Sequence, residues 1–393
     1  MKSVAVPKVV REPELDVQVR GMQVDDWLKV RELIEAEWEA HHPVSDQDFF
    51  IWQHSGFGSN RGLHNTALAF VNDELIGMRG VIPGAYQIFD LDGKLRILDG
   101  GSFAMWIVAK DFRGKGVGGA LLSHCEANLG FTVAVGSNES TSVPIYLKAG
   151  YKRIKGLHHW FNVFHPDGRK LIWGSAEFQN FAAERKGRIS TELLDVSDPV
   201  FLAKLWEQFT VENRVAGLHR NAEFWTWRYL QHPRFRYHLH SNVAGTAVSV
   251  SRIEDVDLEG TRRKVLRLIE IISAVEGTNW SNHSGADLSF IEAVLDWARS
   301  QGCIAADFRS TQIERYLFLR EAGFTLNRYE SETAVTGFAG QLNPLDSGAR
   351  PINVHWKVNA PIKIGRAKLY ITKADNDMDR PNKRGVKSER LGN

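Results

Sequence analysis

The sequence repeats part of itself at a nearly constant distance, and this repetition favours a fold built from two related units. Three short segments recur in the same order: DFFIWQ at 48–53 as EFWTWR at 223–228, DLDG at 90–93 as DLEG at 257–260, and AGY at 149–151 as AGF at 322–324, with offsets of 175, 167 and 173 residues. We therefore predict two structurally related domains. One alternative stays open, in which each aromatic segment is simply core beneath a sheet.

The length of the chain and the composition of its end set the predicted domain limits. At 393 residues the chain exceeds one ordinary domain. We place an N-terminal domain at residues 1–180 and a C-terminal domain at 181–371, because no strong periodicity is visible near residue 180. The last 22 residues, 372–393, carry one Met, one Val and one Leu as their only large apolar side chains. These are too few to offset the entropy cost of ordering, so we predict a disordered tail.

Charge and composition exclude several classes of protein. The 49 Lys and Arg against 47 Asp and Glu give a net charge of +2, too weak a field to hold nucleic acid or an anionic membrane. No signal peptide and no run of 18 apolar residues occurs, so we expect a cytoplasmic protein. Cys125 and Cys303 fit neither a disulfide framework nor a metal-ligand spacing, and we predict no metal site.

The strand and helix signals of the first half predict a hairpin-rich sheet flanked by helices. An alternating run begins at Asp16, and an apolar stripe from Trp27 to Trp38 predicts a helix. Three strand-like runs follow, and the turn Asp92–Gly93 joins the last two. Gly130 and Gly150 each end a further helix, with a short buried strand between the two.

A glycine-rich loop, RGKGVGG at 113–119, lies between the third of these strands and the next helix. Glycines let the backbone turn sharply, consecutive amides converge on one point, and a helix start carries partial positive charge. Arg113 and Lys115 add full charges that suit phosphate oxygens. The loop therefore predicts an anion site, with a diphosphate as the natural ligand.

The loop also has features in common with a Walker loop, a dinucleotide-binding loop and a plain helix-initiating turn. A Walker loop needs a Gly-Lys-Ser or Gly-Lys-Thr ending, which is missing here. The glycines at 114, 116 and 119 do fit Gly-x-Gly-x-x-Gly, with Glu139 some 20 residues further on. A dinucleotide loop, however, usually opens a parallel sheet, whereas this loop follows hairpin strands. A helix-initiating turn without any ligand remains the third alternative.

The pattern Arg113-x-x-Gly116-x-Gly118, followed by GALL at 119–122, resembles the acyl-CoA pyrophosphate motif of the GNAT N-acyltransferase superfamily. The likeness extends from Phe103 to Tyr151. It implies an α/β (α+β) fold of two tandem GNAT-like domains, each a mixed, mostly antiparallel central sheet flanked by helices, with the second domain degenerate. It also implies acetyl-CoA or another acyl-CoA as co-substrate. The implied binding residues are Trp106, Ile107 and Val108 for pantetheine, and Arg113, Gly114, Lys115, Gly116, Val117, Gly118 and Gly119 for pyrophosphate.

The same resemblance places a catalytic phenol at Tyr146, in the sequence Tyr-x-x-x-Gly-Tyr. A phenol with a pKa of about 10 can donate a proton to a departing CoA thiolate. The alternative is a core tyrosine that packs a helix on the sheet. A base must also take a proton from the attacking amine, and the sequence does not identify it. By chain position, the first choices for this base are Asp99 and His158, and the further candidates are His41, His42, Glu139 and His159.

The second half lacks the features that would bind CoA. Its loop after LRLIEIISA, VEGTNWSNHSGADLSF, has no clustered glycines and no Arg-x-x-Gly-x-Gly pattern. Leu319 stands where Tyr146 stands in the first half. We therefore predict one CoA site per chain, with the second domain completing the acceptor cleft.

One active and one degenerate copy is similar to the arrangement in tandem-GNAT nucleotide-sugar N-acyltransferases of bacterial surface-polysaccharide pathways. The resemblance implies a small-molecule amine as partner, with a nucleotide-linked amino sugar as the best guess, and leaves a homodimer open. The residues assigned to the acceptor are His41, Arg228, Arg234 and Arg236, the arginines alternatively forming a solvated face. Two other functions stay open: an aminoacyl-tRNA-dependent ligase and a non-catalytic acyl-CoA sensor.

Overall fold

The computed structural model describes residues 16–38, 43–154, 156–173, 191–274, 285–327 and 352–379. Its helices are α1 (Trp27–Glu37), α2 (Gln47–Ser55), α3 (Val117–Asn128), α4 (Ser142–Lys148), α5 (Pro166–Trp173), α6 (Pro199–Asn213), α7 (Ala222–Trp225, continued by a π-helical turn at Thr226–Leu230) and α8 (Gly285–Ser300). In the described ranges, no helix combines the length and apolarity needed to cross a bilayer. His41 and the stretch around residue 180 lie outside these ranges.

The strands form two mixed sheets. They are β1 (Gln18–Gly21), β2 (Ala67–Val71), β3 (Glu74–Phe89), β4 (Leu95–Val108), β5 (Phe131–Val135), β6 (Lys152–Ile154), β7 (His158–Val163), β8 (Leu193–Asp195), β9 (Val215–Leu218), β10 (His238–Asn242), β11 (Ala247–Leu258), β12 (Thr261–Ser273), β13 (Cys303–Ser310), β14 (Thr325–Leu326), β15 (Val354–Val358) and β16 (Lys368–Tyr370). The first sheet has the order β1-β2-β3-β4-β5-β15-β6, with β9 beside β3 and β16. The second has the order β14-β7-β13-β12-β11-β10-β8.

The two sheets share one arrangement of strands, which confirms the predicted mixed, mostly antiparallel fold flanked by helices. In the first sheet a long hairpin of β3 and β4 is followed by α3 and the parallel strand β5. In the second, the hairpin of β11 and β12 is followed by α8 and the parallel strand β13. Gly93 closes the first hairpin with a φ of +79°, a backbone conformation that glycine adopts without strain.

The two halves of the chain exchange one strand each. Strand β15, from the end of the chain, lies between β5 and β6 in the first sheet. Strand β7, from before residue 180, lies between β13 and β14 in the second sheet. The predicted limit at residue 180 therefore does not separate the two sheets, because strand patterns in a sequence do not tell which sheet a strand joins.

The repeated aromatic segments pack directly against each other. The ring of Trp52 on α2 stacks on that of Trp227 at a centroid distance of 4.9 Å, and the Trp227 indole N–H donates to the Trp52 carbonyl at 3.3 Å. Phe57 extends the contact, 5.3 Å from both Phe224 and Trp227. The repetition found in the sequence thus corresponds to a contact between the two halves.

The predicted disordered tail is wrong for residues 372–379. Thr372, Lys373 and Asp375 are almost completely buried, and Asp379 pairs with Arg252 at 2.8 Å. The polar composition misled the prediction, because these side chains meet buried partners of opposite charge instead of apolar ones. Residues 380–393 lie outside the described ranges.

Buried histidines predict that the fold loses stability in mild acid. His54 is fully buried, with Nδ1 2.9 Å from the Val81 carbonyl, and burial lowers its pKa to about 4. Between pH 6.5 and 4 the unfolded chain binds this proton and the folded chain does not, so stability falls as the pH falls through that window. We expect His54 to account for about 2 kcal/mol of lost stability between pH 7.5 and 5.

Urea unfolding at the two pH values measures this effect. His54→Gln should reduce the loss by about that amount, whereas His165→Gln, at an exposed position, should leave it unchanged. An unaltered pH dependence in the His54 variant would refute the assignment.

Candidate functional site

Strands β4 and β5 separate at one end and leave an opening in the first sheet. Their parallel pairing runs from Gly100 and Phe131 to Phe103 and Ala134. Beyond Phe103, β4 continues to Val108 while paired with β3. Among the described residues, no strand pairs with the other edge of residues 104–108. One carbonyl on that edge, that of Val108, accepts a hydrogen bond from Arg113 Nε at 2.9 Å; the remaining backbone groups on it pair with no other strand of the described residues and can meet a ligand.

The glycine-rich loop lies at the end of β4 beside this opening. Gly114 and Gly116 have φ angles of +79° and +85°, and Gly116 caps α3. A Cβ built on Gly114, Gly116 or Gly119 would meet no atom within 4 Å. In the described part of the chain, the amides of residues 117–119 make no hydrogen bond to other backbone. Free amides at an exposed helix start suit an anion such as a diphosphate.

Arg113 holds the loop in place. Its Nε donates to the Val108 carbonyl at 2.9 Å, and its Nη2 donates to Glu37 Oε2 at 2.6 Å. Glu37 also accepts from the Lys110 amide at 3.1 Å. These contacts join the loop to α1 and to the end of β4. Lys115, on the same loop, is exposed to solvent.

Tyr146 on α4 lies beside the opening, next to Trp106. The two rings are 5.4 Å apart, and Tyr146 is 1% exposed. Its hydroxyl oxygen accepts a hydrogen bond from Nη2 of Arg79. The ring of His355, on the exchanged strand β15, stacks on Tyr146 at 5.2 Å with an interplanar angle of 18°. The structure thus brings together the predicted phenol and the predicted pantetheine strand.

The two first-choice bases do not contact Tyr146. Asp99 precedes Trp106 by seven residues on β4, which places it about 23 Å away along the strand, and its carboxylate accepts from Ser59 Oγ at 2.6 Å. His158 lies on β7 in the second sheet, opposite Ser310, where burial lowers its pKa. Chain position alone suggested both residues, and strand length and strand exchange move them away.

The predicted acceptor residues do not form one surface. Arg228 is buried and donates to the Ala374 carbonyl and to the Tyr237 hydroxyl, both at 3.2 Å. This corrects its assignment to a diphosphate, because its guanidinium stabilises the C-terminal segment instead. Arg234 pairs with Asp46 at 2.5 Å, and Arg236 is exposed.

The sequence analysis missed Arg79 and His355. A single charged residue within the apolar run LIGMRGVIPGAYQIF was a usable sign of a buried functional cation. His355 gave no comparable sign, because its strand joins the first sheet from the far end of the chain. Burial lowers the pKa of His355 to about 4.

The second sheet opens in the same place, but the chain itself fills the gap. Strands β12 and β13 pair in parallel up to Leu268 and Phe308. Beyond that point the segment 369–375 contacts both strands: Thr372 forms an antiparallel bridge with Ser310 at the end of β13, and the Tyr370 hydroxyl donates to Glu270 on β12 at 2.8 Å. The second-half loop that lacks clustered glycines lies mostly at 275–284, outside the described residues.

Comparisons with known proteins agree with this geometry. Residues 69–161 match the family model of the acetyltransferase (GNAT) domain, a segment that contains the loop, Arg79 and Tyr146. No curated protein matches the chain. A GCN5-related N-acetyltransferase from Anabaena variabilis is similar in structure, with a TM-score of 0.55, 14% identity, and coverage of 87% of this chain and 73% of that one.

A second solved structure is less similar. It is a GCN5-related N-acetyltransferase from Kribbella flavida, with a TM-score of 0.49, 13% identity, and coverage of 74% of this chain and 63% of that one. Residues 69–161 are thus similar to the acetyltransferase (GNAT) domain, and the likeness to the Anabaena structure shows that the chain has a GNAT-like fold.

Proposed function

We propose that the protein is an acyl-CoA-dependent N-acyltransferase that uses acetyl-CoA or another acyl-CoA as co-substrate. The observation that carries this proposal is the open glycine loop at the start of α3, beside the unpaired edge of β4. The amides of Val117, Gly118 and Gly119, with Lys115, would hold the pyrophosphate. The edge at residues 106–108, where the Val108 carbonyl also accepts from Arg113, would hydrogen-bond the amide groups of pantetheine.

The bound acyl-CoA supplies a thioester, an activated acyl group that an amine can attack. Tyr146 would give its phenolic proton to the departing sulfur, which neutralises the thiolate as it leaves. Nη2 of Arg79 donates a hydrogen bond to the phenol oxygen. The base that deprotonates the amine stays unassigned, since neither Asp99 nor His158 contacts Tyr146.

For the acceptor we propose a small amine, in particular a nucleotide-linked amino sugar of surface-polysaccharide synthesis, bound between tandem GNAT-like halves. The near-zero net charge supports a small acceptor over tRNA. A cavity of about 480 Å³, lined by stacked aromatic rings and polar side chains, has the chemistry to hold a ring-shaped ligand, although no contact among the described residues joins its lining to Tyr146. Its lining includes Trp52, Phe57, Arg61, Glu223, Trp227 and Gln231.

A charge placed in the loop tests the site. Gly119 is exposed and has open space around its Cβ position, so a longer side chain fits. Gly119→Glu should weaken acetyl-CoA binding at least tenfold through repulsion of the pyrophosphate. It should not harm folding, because an acidic side chain suits a helix N-terminus.

Gly119→Gln is the matched control, with equal size and no charge. Calorimetric titration should show nearly wild-type affinity for the Gln variant and weak binding for the Glu variant. Equal affinities of all three proteins, or no binding by the wild type, would contradict the proposed site.

The acceptor is tested by mass spectrometry of products formed from acyl-CoAs and a panel of amines, nucleotide-linked amino sugars and tRNA. We expect an acyl mass added to an amino sugar nucleotide. A product on tRNA, or salt-sensitive tRNA binding, would favour the ligase alternative. Binding without any product would favour the sensor.

A further inference from the structure

Arg79 is a buried cation held between aromatic rings. It lies on β3 opposite Trp106 and is 3% exposed. Its guanidinium carbon is 4.3 Å from the ring centre of Phe103 and 4.4 Å from that of Trp106. Burial lowers its pKa to about 10, so the side chain remains charged at neutral pH.

The charge of Arg79 has no carboxylate partner in direct contact among the described residues. Its Nε is buried without a hydrogen-bond partner in that part of the chain, and the negative charge of Asp377 acts on it electrostatically. Buried cations are normally paired, because leaving water is costly. A buried arginine bonded to a neutral phenol is therefore expected to serve a function beyond packing.

The direction of the hydrogen bond fixes the phenol proton. A guanidinium can only donate, so the Tyr146 oxygen is the acceptor and its own proton points away from Arg79. That proton has no acceptor among the described residues. The stacked His355 does not take it, since both of its ring nitrogens are buried without a partner there. The proton is free for a group delivered by a ligand.

We propose that Arg79 is a positioning residue that aims the Tyr146 proton at the leaving sulfur and stabilises the phenolate formed when that proton is given. The proposal rests on the proposed acyl transfer. Tyr146 releases its proton to sulfur as the carbon–sulfur bond breaks with its electron pair on sulfur, while the amine nitrogen bonds to the acyl carbon. The proton lost by the amine, passed through solvent, restores the phenol. Arg79 supplies a fixed positive charge at the oxygen where negative charge develops.

A double-mutant cycle tests this role. The full chain carrying Arg79→Met, Tyr146→Phe or both is assayed by thiol release from acetyl-CoA, with the amine that the product screen identifies. Arg79→Met should lower kcat about tenfold or more and change KM for acetyl-CoA less than about threefold. In the Tyr146→Phe background the same substitution should have no further effect, because its target is gone.

Arg79→Lys serves as the conservative variant and replaces Arg79→Met in the cycle if the latter does not fold. It keeps the charge and one donor, so kcat should lie between those of the wild type and Arg79→Met. Equal losses of kcat in both backgrounds, or full activity of Arg79→Met, would overturn the positioning role while leaving the acyl transfer intact. An inactive wild type would overturn the acyl transfer and this inference together.

Discussion

Tyr146→Phe is expected to lower kcat for acyl transfer by about 10- to 1,000-fold while acetyl-CoA binds with nearly unchanged affinity. The substitution removes only the hydroxyl, which lies beside the opening and accepts from Arg79. The ring contacts with Trp106 and His355 remain. Steady-state kinetics and calorimetry of the same protein separate the two effects.

Tyr316→Phe is the control for this prediction. Tyr316 is a buried tyrosine of the second half whose hydroxyl donates to the Ile271 carbonyl at 2.8 Å. Its replacement should cost about 1 kcal/mol of stability and leave kcat unchanged. Full turnover by Tyr146→Phe would identify Tyr146 as an ordinary core residue and would remove the proposed proton donor.

Arg220→Met is expected to lower the free energy of unfolding by roughly 3–5 kcal/mol, because it leaves buried carboxylates without their counter-charge. Arg220 is completely buried and lies 2.8 Å from Glu270 and 2.9 Å from Asp375. Asp375 belongs to the segment that fills the opening of the second sheet. The variant should therefore loosen the C-terminal segment as well as destabilise the fold.

Urea unfolding measures the loss, with Arg236→Met as the control. Arg236 is exposed, so its replacement should change stability by no more than about 0.5 kcal/mol. Equal stabilities of the two variants would show that the buried ion pairs do not anchor the segment.

Local signals in the sequence predicted the parts of the fold that neighbouring residues determine. The hairpin turn at Asp92–Gly93, the loop before α3 and the helix ending at Asn128 all follow from turn, glycine and periodicity rules. The two repeated aromatic segments pack against each other, since the rings of Trp52 and Trp227 stack.

Features that depend on distant parts of the chain escaped prediction. The exchange of β7 and β15 pairs residues about 140 to 200 positions apart, and with it came the contact of His355 with Tyr146. Residues 372–379 looked like solvent-exposed polar chain. Composition does not reveal that Asp375 forms an ion pair with Arg220 and that Asp379 forms one with Arg252. Asp99 was misjudged because a long strand separates residues that are near in sequence.

We expect the opening in the first sheet to bind acetyl-CoA and the opening in the second sheet to bind none. Within the described ranges, the first opening has amides without backbone partners and a strand edge that pairs with no other strand, whereas residues 369–375 fill the second opening. This contrast follows from the fold itself and does not depend on the identity of the acceptor. It is the central claim of the proposed function.

Native mass spectrometry with acetyl-CoA counts the ligands bound to each chain and tests this claim most directly. We predict one acetyl-CoA per chain in the wild type and in Gly119→Gln, and almost none in Gly119→Glu. Two molecules per chain, or one molecule that the Glu substitution does not displace, would contradict the assignment of the first opening as the acyl-CoA site.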